Sequence, residues 1–281
     1  NNYGVLSAVK DYYNKRLVLE NFTGNTNYCL EALEALQKEK YVEKTIAKIR
    51  EHQLFPFLQS GYLLEAKIPT YFDGADGYFV CKYHVQDRYD SVRWMEEDSI
   101  VYSAKKKDPS TTRLLPHNFI VRQVVTEDAH NLASLYKEVF KVYPVPITKP
   151  DYIKEQLMSS TIFYCLEVDG NIVAAASADI DETYRHAEIT DCATLEEYRK
   201  YGVMKVIIKH LEEELVRKQI FCSFSIARSL SFGMNAVLHQ LQYEYTGRLK
   251  NNCYIFDKIE DMNVWVKDLS NANFSALNAK G

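Results

Sequence analysis

The sequence lacks the features that mark membrane, secreted, metal-binding and nucleic-acid-binding proteins. It contains no apolar run of the ~18 residues that a membrane span needs, and it shows no signal-peptide pattern at its start. Its six cysteines form no C-x-x-C pair and have no zinc-like spacing with histidine, which predicts reduced thiols and no metal site. The net charge is −4, and the basic run at residues 105–107 is too short for a nucleic-acid footprint. We therefore expect a cytoplasmic globular protein with no membrane or nucleic-acid partner.

The length and the polarity pattern predict two segments. With 281 residues, 47% hydrophobic and 26% charged, the chain is long enough for one large or two ordinary domains. Residues 103–113 are polar, contain Pro109 and show no periodicity, which is typical of a linker. We expect an N-terminal domain over residues 1–102, a linker over 103–116, a second domain over 117–270 and a tail over 271–281.

Hydrophobic periodicity predicts an α/β fold with a mixed sheet. In the first segment it indicates helices at residues 27–38 and 54–59 and strands at 45–49, 63–68 and 78–83. In the second it indicates a helix opening at Thr126, a helix over 203–217 and another over 234–241. The strands of that segment are predicted at residues 119–125, 161–168, 172–180, 188–194, 220–226, 243–249 and 253–256, with Asp169-Gly170 as a hairpin turn.

The two segments end in a similar way, which indicates a weak internal repeat. Residues 57–62 followed by two strands resemble residues 238–243 followed by two strands. The first segment has no counterpart of the turn at residues 199–202. We therefore expect it to be structural or dimer-forming rather than catalytic, and a homodimer is one arrangement that this allows.

The stretch from residue 188 to 215 is the most informative part of the chain. It reads as a strand, a short polar turn and an amphipathic helix. The first N–H groups of a helix have no intrahelical partner and the macrodipole is positive there, so this turn is typical of a phosphate site.

Order and motif together resemble the GCN5-related N-acetyltransferase (GNAT) superfamily. Its signature, R/Q-x-x-G-x-G/A between the fourth strand and a helix, is matched by Arg199 and Gly202, whereas Met204 stands where Gly or Ala is usual. More specifically, the chain is similar to the beta-lysine N-acetyltransferases. The runs that carry this likeness are residues 187–195, 198–202, 225–228, 230–236, 251–257 and 261–267, with looser similarity at 12–16 and around Gly61-Tyr62.

The resemblance implies a fold, a cosubstrate and an acceptor. It implies a GNAT acyl-CoA N-acyltransferase fold in the C-terminal domain and a smaller, degenerate GNAT-like N-terminal domain. The cosubstrate would be acetyl-CoA, and the acceptor would be the ε-amino group of L-β-lysine, which is converted into a compatible solute. Cofactor contacts would come from Cys192, Ala193 and Thr194 in the strand, Arg199, Lys200, Tyr201, Gly202, Val203 and Met204 in the turn, and Asn235 at the start of a later helix. Asn235 has the alternative role of a helix cap.

Acetyl transfer to an alkylamine needs a proton acceptor, because an ammonium with a pKa of about 10.4 is not nucleophilic at neutral pH. Asp191 is the first candidate and Glu188 the second. Simple strand alternation places these two carboxylates on opposite faces, although a bulge near the strand end would change that parity. No acid is assigned for the leaving thiolate, because the usual tyrosine position holds Leu238.

The acceptor's other groups need partners as well. Arg228 is the first candidate for the carboxylate and Arg185 the alternative. Glu138, Phe140 and Tyr143 lie where the superfamily covers its acceptor. Two other functions stay open: a GNAT enzyme acting on lysine, a polyamine or a protein amine, and a non-catalytic acyl-CoA sensor, which Met204 and Leu238 would favour.

Overall fold

The computed structural model describes residues 4–38, 41–109, 115–141, 143, 145–255 and 258–270. Its strands are β1 (Gly4–Asp11), β2 (Arg16–Gly24), β3 (Lys44–Arg50), β4 (Leu63–Phe72), β5 (Ala75–Tyr83), β6 (Phe119–Gln123), β7 (Ile162–Val168), β8 (Asn171–Asp181), β9 (His186–Thr194), β10 (Cys222–Arg228), β11 (Glu244–Ile255) and β12 (Lys258–Asp268). Its helices are α1 (Thr26–Gln37), α2 (Glu51–Gln59), α3 (Gln86–Tyr89), α4 (Trp94–Lys105), α5 (Ala129–Val139), α6 (Pro150–Leu157), α7 (Val203–Arg217) and α8 (Phe232–Gln240). Short 3₁₀ helices cover Thr126–Asp128 and Glu196–Tyr201.

All the strands join in one 12-stranded sheet with the order β1-β2-β3-β5-β4-β11-β12-β10-β9-β8-β7-β6. The pairs β2–β3 and β9–β10 are parallel, and the other pairs are antiparallel. The prediction of a mixed α/β fold is therefore confirmed. None of the helices within the described ranges is long and apolar enough to cross a membrane.

The sheet contains the same motif twice. The series β1-β2-α1-β3-α2-β4-β5 has the same strand pairings as β8-β9-α7-β10-α8-β11-β12. We call residues 4–83 the N-terminal half and residues 119–268 the C-terminal half. The two halves meet where β4 pairs with β11, with Ala66 opposite Gly247.

Helices pack on the sheet of both halves, and the two halves also pack against each other. One core lies between the sheet and α7 and α8, a second lies beneath α5 and α6, and a third holds α1 and α2 against the N-terminal half. A fourth core joins the halves: Tyr71 and Phe79 pack with Phe224 and Val264. Phe224 is in register with Glu188, and Glu188 with Asp179, so the N-terminal half covers the same face of β8, β9 and β10 as α5 and α6.

Several elements differ from the sequence-based predictions. The predicted strands at 243–249 and 253–256 are one strand, β11, and its partner β12 was not predicted. Strands β1 and β2 and helices α4 and α6 were also missed. Thr126 opens a 3₁₀ helix, and it is the Asp128 carboxylate that accepts a hydrogen bond from the Val125 N–H, at 2.9 Å. Helix α4 ends at Lys105, inside the predicted linker, whereas residues 110–114 and the predicted tail lie outside the described residues.

Candidate active site

Strands β9 and β10 separate partway along their length. Their parallel pairing covers only residues 186–188 and 222–224, after which Ser225 Oγ still donates to Ile189 O at 2.8 Å. Cys192, Ala193 and Thr194 follow this point on β9. Ala193 and Thr194 pair with β8, and none of the three pairs with β10. The side of the β9 backbone that faces β10 is therefore open to a ligand.

The end of β9 contains a bulge at Asp191. In the pairing with β8, Ser177 is opposite Thr190 and Ala175 is opposite Ala193, so β9 has one extra residue between these pairs. Asp191 has a positive φ of 52°, a backbone conformation that Asp and Asn adopt more readily than most residues. Its carboxylate accepts hydrogen bonds from Ser177 Oγ at 2.6 Å and Tyr143 OH at 2.9 Å.

The bulge changes the parity that simple alternation predicts. Ser177 and Asp179 are two residues apart on β8 and share a face, and Asp179 is directly opposite Glu188. Because Ser177 holds the Asp191 carboxylate, both candidate bases reach the face that α5, α6 and the N-terminal half cover.

Burial on this face raises the pKa of both candidate bases. Burial, joined by the charges of Asp179, Asp191 and Glu20, raises the pKa of Glu188 to about 7 against the opposing effect of Lys48. Burial likewise raises the pKa of Asp191 above its ordinary value, while the hydrogen bonds from Ser177 and Tyr143 lower it. A carboxylate tuned in this way suits a general base that works near neutral pH.

Tyr143 is held in place by a stack of rings. The Phe140 ring stacks on Tyr143 at 4.5 Å between centroids and is parallel to Tyr136 at 5.8 Å. Tyr136 is fully buried, and its hydroxyl has no hydrogen-bond partner within the described residues. Burial raises the pKa of Tyr136, and the charge of Asp191 raises it further, so this hydroxyl lies near the same site.

The turn after β9 has the geometry of an anion site. Gly202 adopts the left-handed conformation, φ 68° and ψ 27°, and α7 begins directly after it without a side-chain cap. The N–H groups of Val203 and Met204 therefore have no partner in their own helix, whereas Lys205 N donates to Gly202 O at 3.2 Å. Arg199 and Lys200 are exposed at the turn, and Arg199 Nε donates to Thr194 O at 3.2 Å.

Met204 does not occupy this turn with its side chain. It is 8% exposed and belongs to the hydrophobic core beneath α7, as does Val203. The glycine-rich pattern is thus replaced by one glycine, Gly202, and a methionine that turns into the core. The residues present fit a phosphate-bearing cosubstrate: a left-handed glycine, an uncapped helix start and two exposed cations.

The side chain of Asn235 is engaged within the fold. Its amide donates to Arg228 O at 3.0 Å and Ser231 O at 2.8 Å, and its oxygen accepts from Asn263 at 2.8 Å and Trp265 at 2.8 Å. These bonds tie the start of α8 to β10 and β12, which is a structural role like the cap that the sequence left open.

The predicted acceptor residues are dispersed. Glu138 is exposed on α5, whereas Tyr143 contacts Asp191 directly. Arg228 forms a bidentate pair with Glu260, at 2.7 Å for both bonds, and Arg185 donates to Gln219 O at 2.7 Å. Sequence reasoning placed these side chains near the acceptor but could not show which partners they already have.

Cys192 is not prepared as a nucleophile. Its Sγ approaches Thr190 O at 3.6 Å, and burial raises the pKa of the thiol well above its ordinary value. The thiolate is therefore disfavoured. Among the described residues, no group of three or more His, Cys, Asp or Glu side chains is arranged to hold a metal ion.

Sequence reasoning missed four polar residues of this face, namely Ser177, Asp179, Glu20 and Lys48. Ser177 and Asp179 lie on β8, which was predicted only as a strand, and their alternation with alanines was the available signal. Glu20 and Lys48 belong to the N-terminal half, and only the three-dimensional fold brings them to the site.

Comparison with known proteins agrees with this geometry. The model of the acetyltransferase (GNAT) family matches residues 129–229. An N-acetyltransferase, YodP, from Bacillus subtilis is 34% identical over 94% of this chain and 97% of its own length. Proteins named beta-lysine N(6)-acetyltransferase are similar too: one from Methanosarcina mazei is 33% identical over 89% of this chain and all of its own length, and one from Methanococcus maripaludis is 30% identical over 90% and 93%. The chain therefore belongs to the GNAT acetyltransferase family and is an N-acetyltransferase that uses acetyl-CoA.

Proposed function

We propose that this protein transfers acetyl to the ε-amino group of L-β-lysine and forms N6-acetyl-β-lysine, a compatible solute. Two similar proteins bear the name of that activity, and their similarity extends over nine-tenths of this chain. All six cysteines are unpaired, which is consistent with the cytoplasm as the place of the reaction. Bound acetyl-CoA would supply an activated acetyl group.

One observation carries the proposal: the Asp191 carboxylate is held at a bulge beside the open backbone of β9. Ser177 and Tyr143 fix its orientation, and burial raises its pKa. An acceptor ammonium with a pKa of about 10.4 gives its proton to an Asp191 oxygen, which leaves a neutral amine as nucleophile. Glu188 lies on the same face and is the second base in this proposal.

The chain's other groups bind and orient the cosubstrate. A backbone N–H on the side of β9 that faces away from β8, near Cys192 or Ala193, would donate to the acyl oxygen, where negative charge develops during transfer. The turn around Gly202, with Arg199 and Lys200, would hold the phosphates at the start of α7. Met204, buried in the core, leaves this turn clear.

The face that receives the acceptor is acidic, so other diamines are the second candidate acceptors. Asp179, Glu188 and Asp191 lie together on it, and carboxylates in this number favour a substrate with two amino groups. A monoamine leaves more of this charge unpaired. β-Lysine, lysine and polyamines all meet this requirement, and only a direct comparison separates them.

The test is an acetyl-transfer assay with acetyl-CoA and a panel of β-lysine, lysine, spermidine and a peptide with an N-terminal amine. We expect the highest kcat/KM for β-lysine, with the product acetylated on N6 as identified by NMR. Turnover of spermidine or lysine but not of β-lysine would contradict the proposed acceptor. Tight binding of acetyl-CoA without turnover of any amine would instead indicate a sensor.

A further inference from the structure

The N-terminal half packs against the face of the sheet that carries the candidate bases and forms a wall beside them. The Tyr71 ring stacks on His186 at 3.9 Å, and His186 Nδ1 donates to Tyr71 O at 2.8 Å. Beside this contact, Tyr184 OH donates to Asn21 Oδ1 at 2.5 Å. His186 and Glu188 are two residues apart on β9 and share a face, so Glu188 also faces the N-terminal half.

Two side chains of this wall carry opposite charges. Lys48 on β3 forms an ion pair with Glu20 on β2, and their side chains are 19% and 40% exposed. Lys48 Nζ lies 5.7 Å from the centre of the Phe79 ring, and Phe79 packs in the same core as Phe224, the residue in register with Glu188. The charges of Tyr71, Glu20 and Glu188 raise the pKa of Lys48 against the effect of burial. The pair is therefore sheltered between the halves but remains accessible to a small ligand.

Glu20 lies at a bulge of β2, the strand that corresponds to β9 in the repeat. In β2 the pairing with β1 shifts between Leu19 and Asn21, so Glu20 is the extra residue of a bulge. In the matching strand β9, the bulge holds Asp191. Each half thus has a carboxylate at a bulge of this strand. The hairpin pairs Asp11–Arg16 and Asp181–His186 make Glu20 the counterpart of residue 190, one position before Asp191, and in the N-terminal half Lys48 forms an ion pair with the carboxylate.

The face has more negative than positive charge. Asp179 and Glu188 are directly opposite on neighbouring strands, an arrangement that is unfavourable for like charges. With Glu20 and Asp191, the face has four carboxylates. Among the groups whose charges change the pKa of Glu188, Lys48 lowers it and the other carboxylates raise it. An acceptor with two ammonium groups and one carboxylate has one net positive charge and would reduce this imbalance.

Resting on the function proposed above, we propose that Glu20 and Lys48 bind the amino-acid end of the acceptor, with Glu20 holding the 3-ammonium and Lys48 the carboxylate. In a β-amino acid the ammonium and the carboxylate lie close together, as the carboxylate of Glu20 and the ammonium of Lys48 do. Each charge of the pair then meets its opposite. The N-terminal half, which the sequence indicated to be structural or dimer-forming, would determine which amine is acetylated.

The length of the acceptor agrees with this placement. Glu188 precedes Asp191 by three residues, or about 10 Å at the usual rise of about 3.3 Å per residue. Five bonds of about 1.5 Å separate the two nitrogens of β-lysine, which places them about 6 Å apart when the chain is extended. The acceptor therefore spans more than half of the distance from Asp191 to Glu188, whose charge acts on Lys48.

The same argument disfavours Arg228. Strand β10 runs parallel to β9 from the pair Cys222–His186, so Arg228, at the end of β10, lies towards the Cys192 end of β9 and the reactive end of the acceptor. Its guanidinium is also engaged by both oxygens of Glu260. The carboxylate of the acceptor is at the opposite end of the molecule from the reactive nitrogen, and it therefore lies nearer to Lys48 than to Arg228.

The experiment compares three acceptors that differ in one group each: β-lysine, 6-aminohexanoate, which lacks the 3-amine, and 1,4-diaminopentane, which lacks the carboxylate. For Lys48→Met we expect KM for β-lysine to rise at least about tenfold with kcat retained, and no rise for 1,4-diaminopentane. For Glu20→Gln we expect a similar rise for β-lysine and 1,4-diaminopentane, and none for 6-aminohexanoate. Lys67→Met, which removes the exposed ion pair with Asp76 on the β4–β5 hairpin, is the matched control and should change no KM.

Changes that are equal for all three acceptors, or no change at all, would overturn this inference. Wild-type enzyme that turns over other amines but not β-lysine would overturn the proposed function instead, so the two failures are distinct. If a single variant loses its thermal transition, the double variant Glu20→Gln with Lys48→Met leaves no unpaired charge and carries the same test. Its KM for β-lysine should rise at least about tenfold, and an unchanged KM would reject the assignment.

Discussion

At the scale of the residue, Asp191 is the group on which the proposed chemistry depends most directly. Asn tolerates the positive φ of 52° as Asp does, so Asp191→Asn removes the proton acceptor while keeping the backbone. We expect kcat near pH 7 to fall by about 10²–10⁴ with acetyl-CoA affinity unchanged. The loss should shrink as the pH rises, because more of the amine is then neutral. Steady-state kinetics over a pH series measure both effects.

A matched control exists for this substitution. Asp169, in the turn between β7 and β8, has a φ of 50°, so Asp169→Asn makes the same chemical change in the same backbone conformation, away from the site. It should leave kcat unchanged. Full activity of Asp191→Asn near pH 7 would exclude Asp191 as the base and leave Glu188 as the candidate.

Glu188 should make the stability of the protein depend on pH. Its pKa is raised from 4.5 to about 7 in the folded state, mainly by burial, so the folded protein binds this proton more tightly than the unfolded chain. Between these two values the free energy of unfolding therefore falls as the pH rises. Glu188→Gln, which is always neutral, should lose this part of the pH dependence. Urea unfolding of both proteins at several pH values from about 4 to about 8 measures it, and parallel curves would contradict the raised pKa.

At the scale of the element, the start of α7 should be sensitive to charge. Gly202→Asp places a negative charge where the phosphates are expected, whereas Gly202→Asn is nearly isosteric, neutral and equally tolerant of the positive φ of 68°. The added Cβ would meet only the flexible end of Lys205, at 3.3 Å. We expect acetyl-CoA to bind at least about tenfold more weakly to the Asp variant than to the Asn variant, by calorimetry. Equal affinities would show that the turn is not the phosphate site.

Elements with a clear hydrophobic period could be predicted from the sequence. Helix α7 was predicted with its observed bounds, because Ile207, Leu211 and Leu215 recur on one buried face. Strand β12 was missed because its buried positions include Asp261 and Asn263, whose polar side chains hide the alternation. Those side chains are paired in three dimensions, for example Asp261 with the Asn251 N–H at 2.7 Å, and no local pattern reveals such partners.

The candidate site could be predicted only in part for a related reason. The residue types around 188–202 indicated the strand and the turn. In the structure Asp191 lies at the end of the strand, Gly202 lies in the turn, and Tyr143 donates a hydrogen bond to Asp191. The face that Asp191 reaches depends on one extra residue in β9, and a bulge is a property of strand pairing rather than of one strand. Ser177 reaches Asp191 across β8, and this contact likewise requires the register.

At the scale of the whole molecule, the two copies of the motif differ at the point where a cofactor would bind. Helix α1, the counterpart of α7, has its first N–H groups capped: Asn25 Oδ1 accepts from Asn27 N at 2.9 Å and Tyr28 N at 3.3 Å. A capped helix start has fewer free donors for a phosphate. The N-terminal half therefore has the sheet and a bulge but lacks the anion site. This agrees with a role in binding the acceptor rather than the cosubstrate.

The joint between the halves should control both stability and acceptor binding. A Cβ on Gly247 would lie 2.0 Å from the Glu65 carbonyl oxygen of β4, so Gly247→Ala must push β4 and β11 apart. We expect the free energy of unfolding to fall by about 1–3 kcal/mol. We also expect KM to rise more for the acceptor than for acetyl-CoA, because Glu20 and Lys48 move with the N-terminal half. Gly233→Ala on α8, where a Cβ meets nothing within 4 Å, is the control and should keep or slightly increase stability. Urea unfolding and steady-state kinetics measure both effects, and equal values for the two variants would show that the joint does not hold the halves in register.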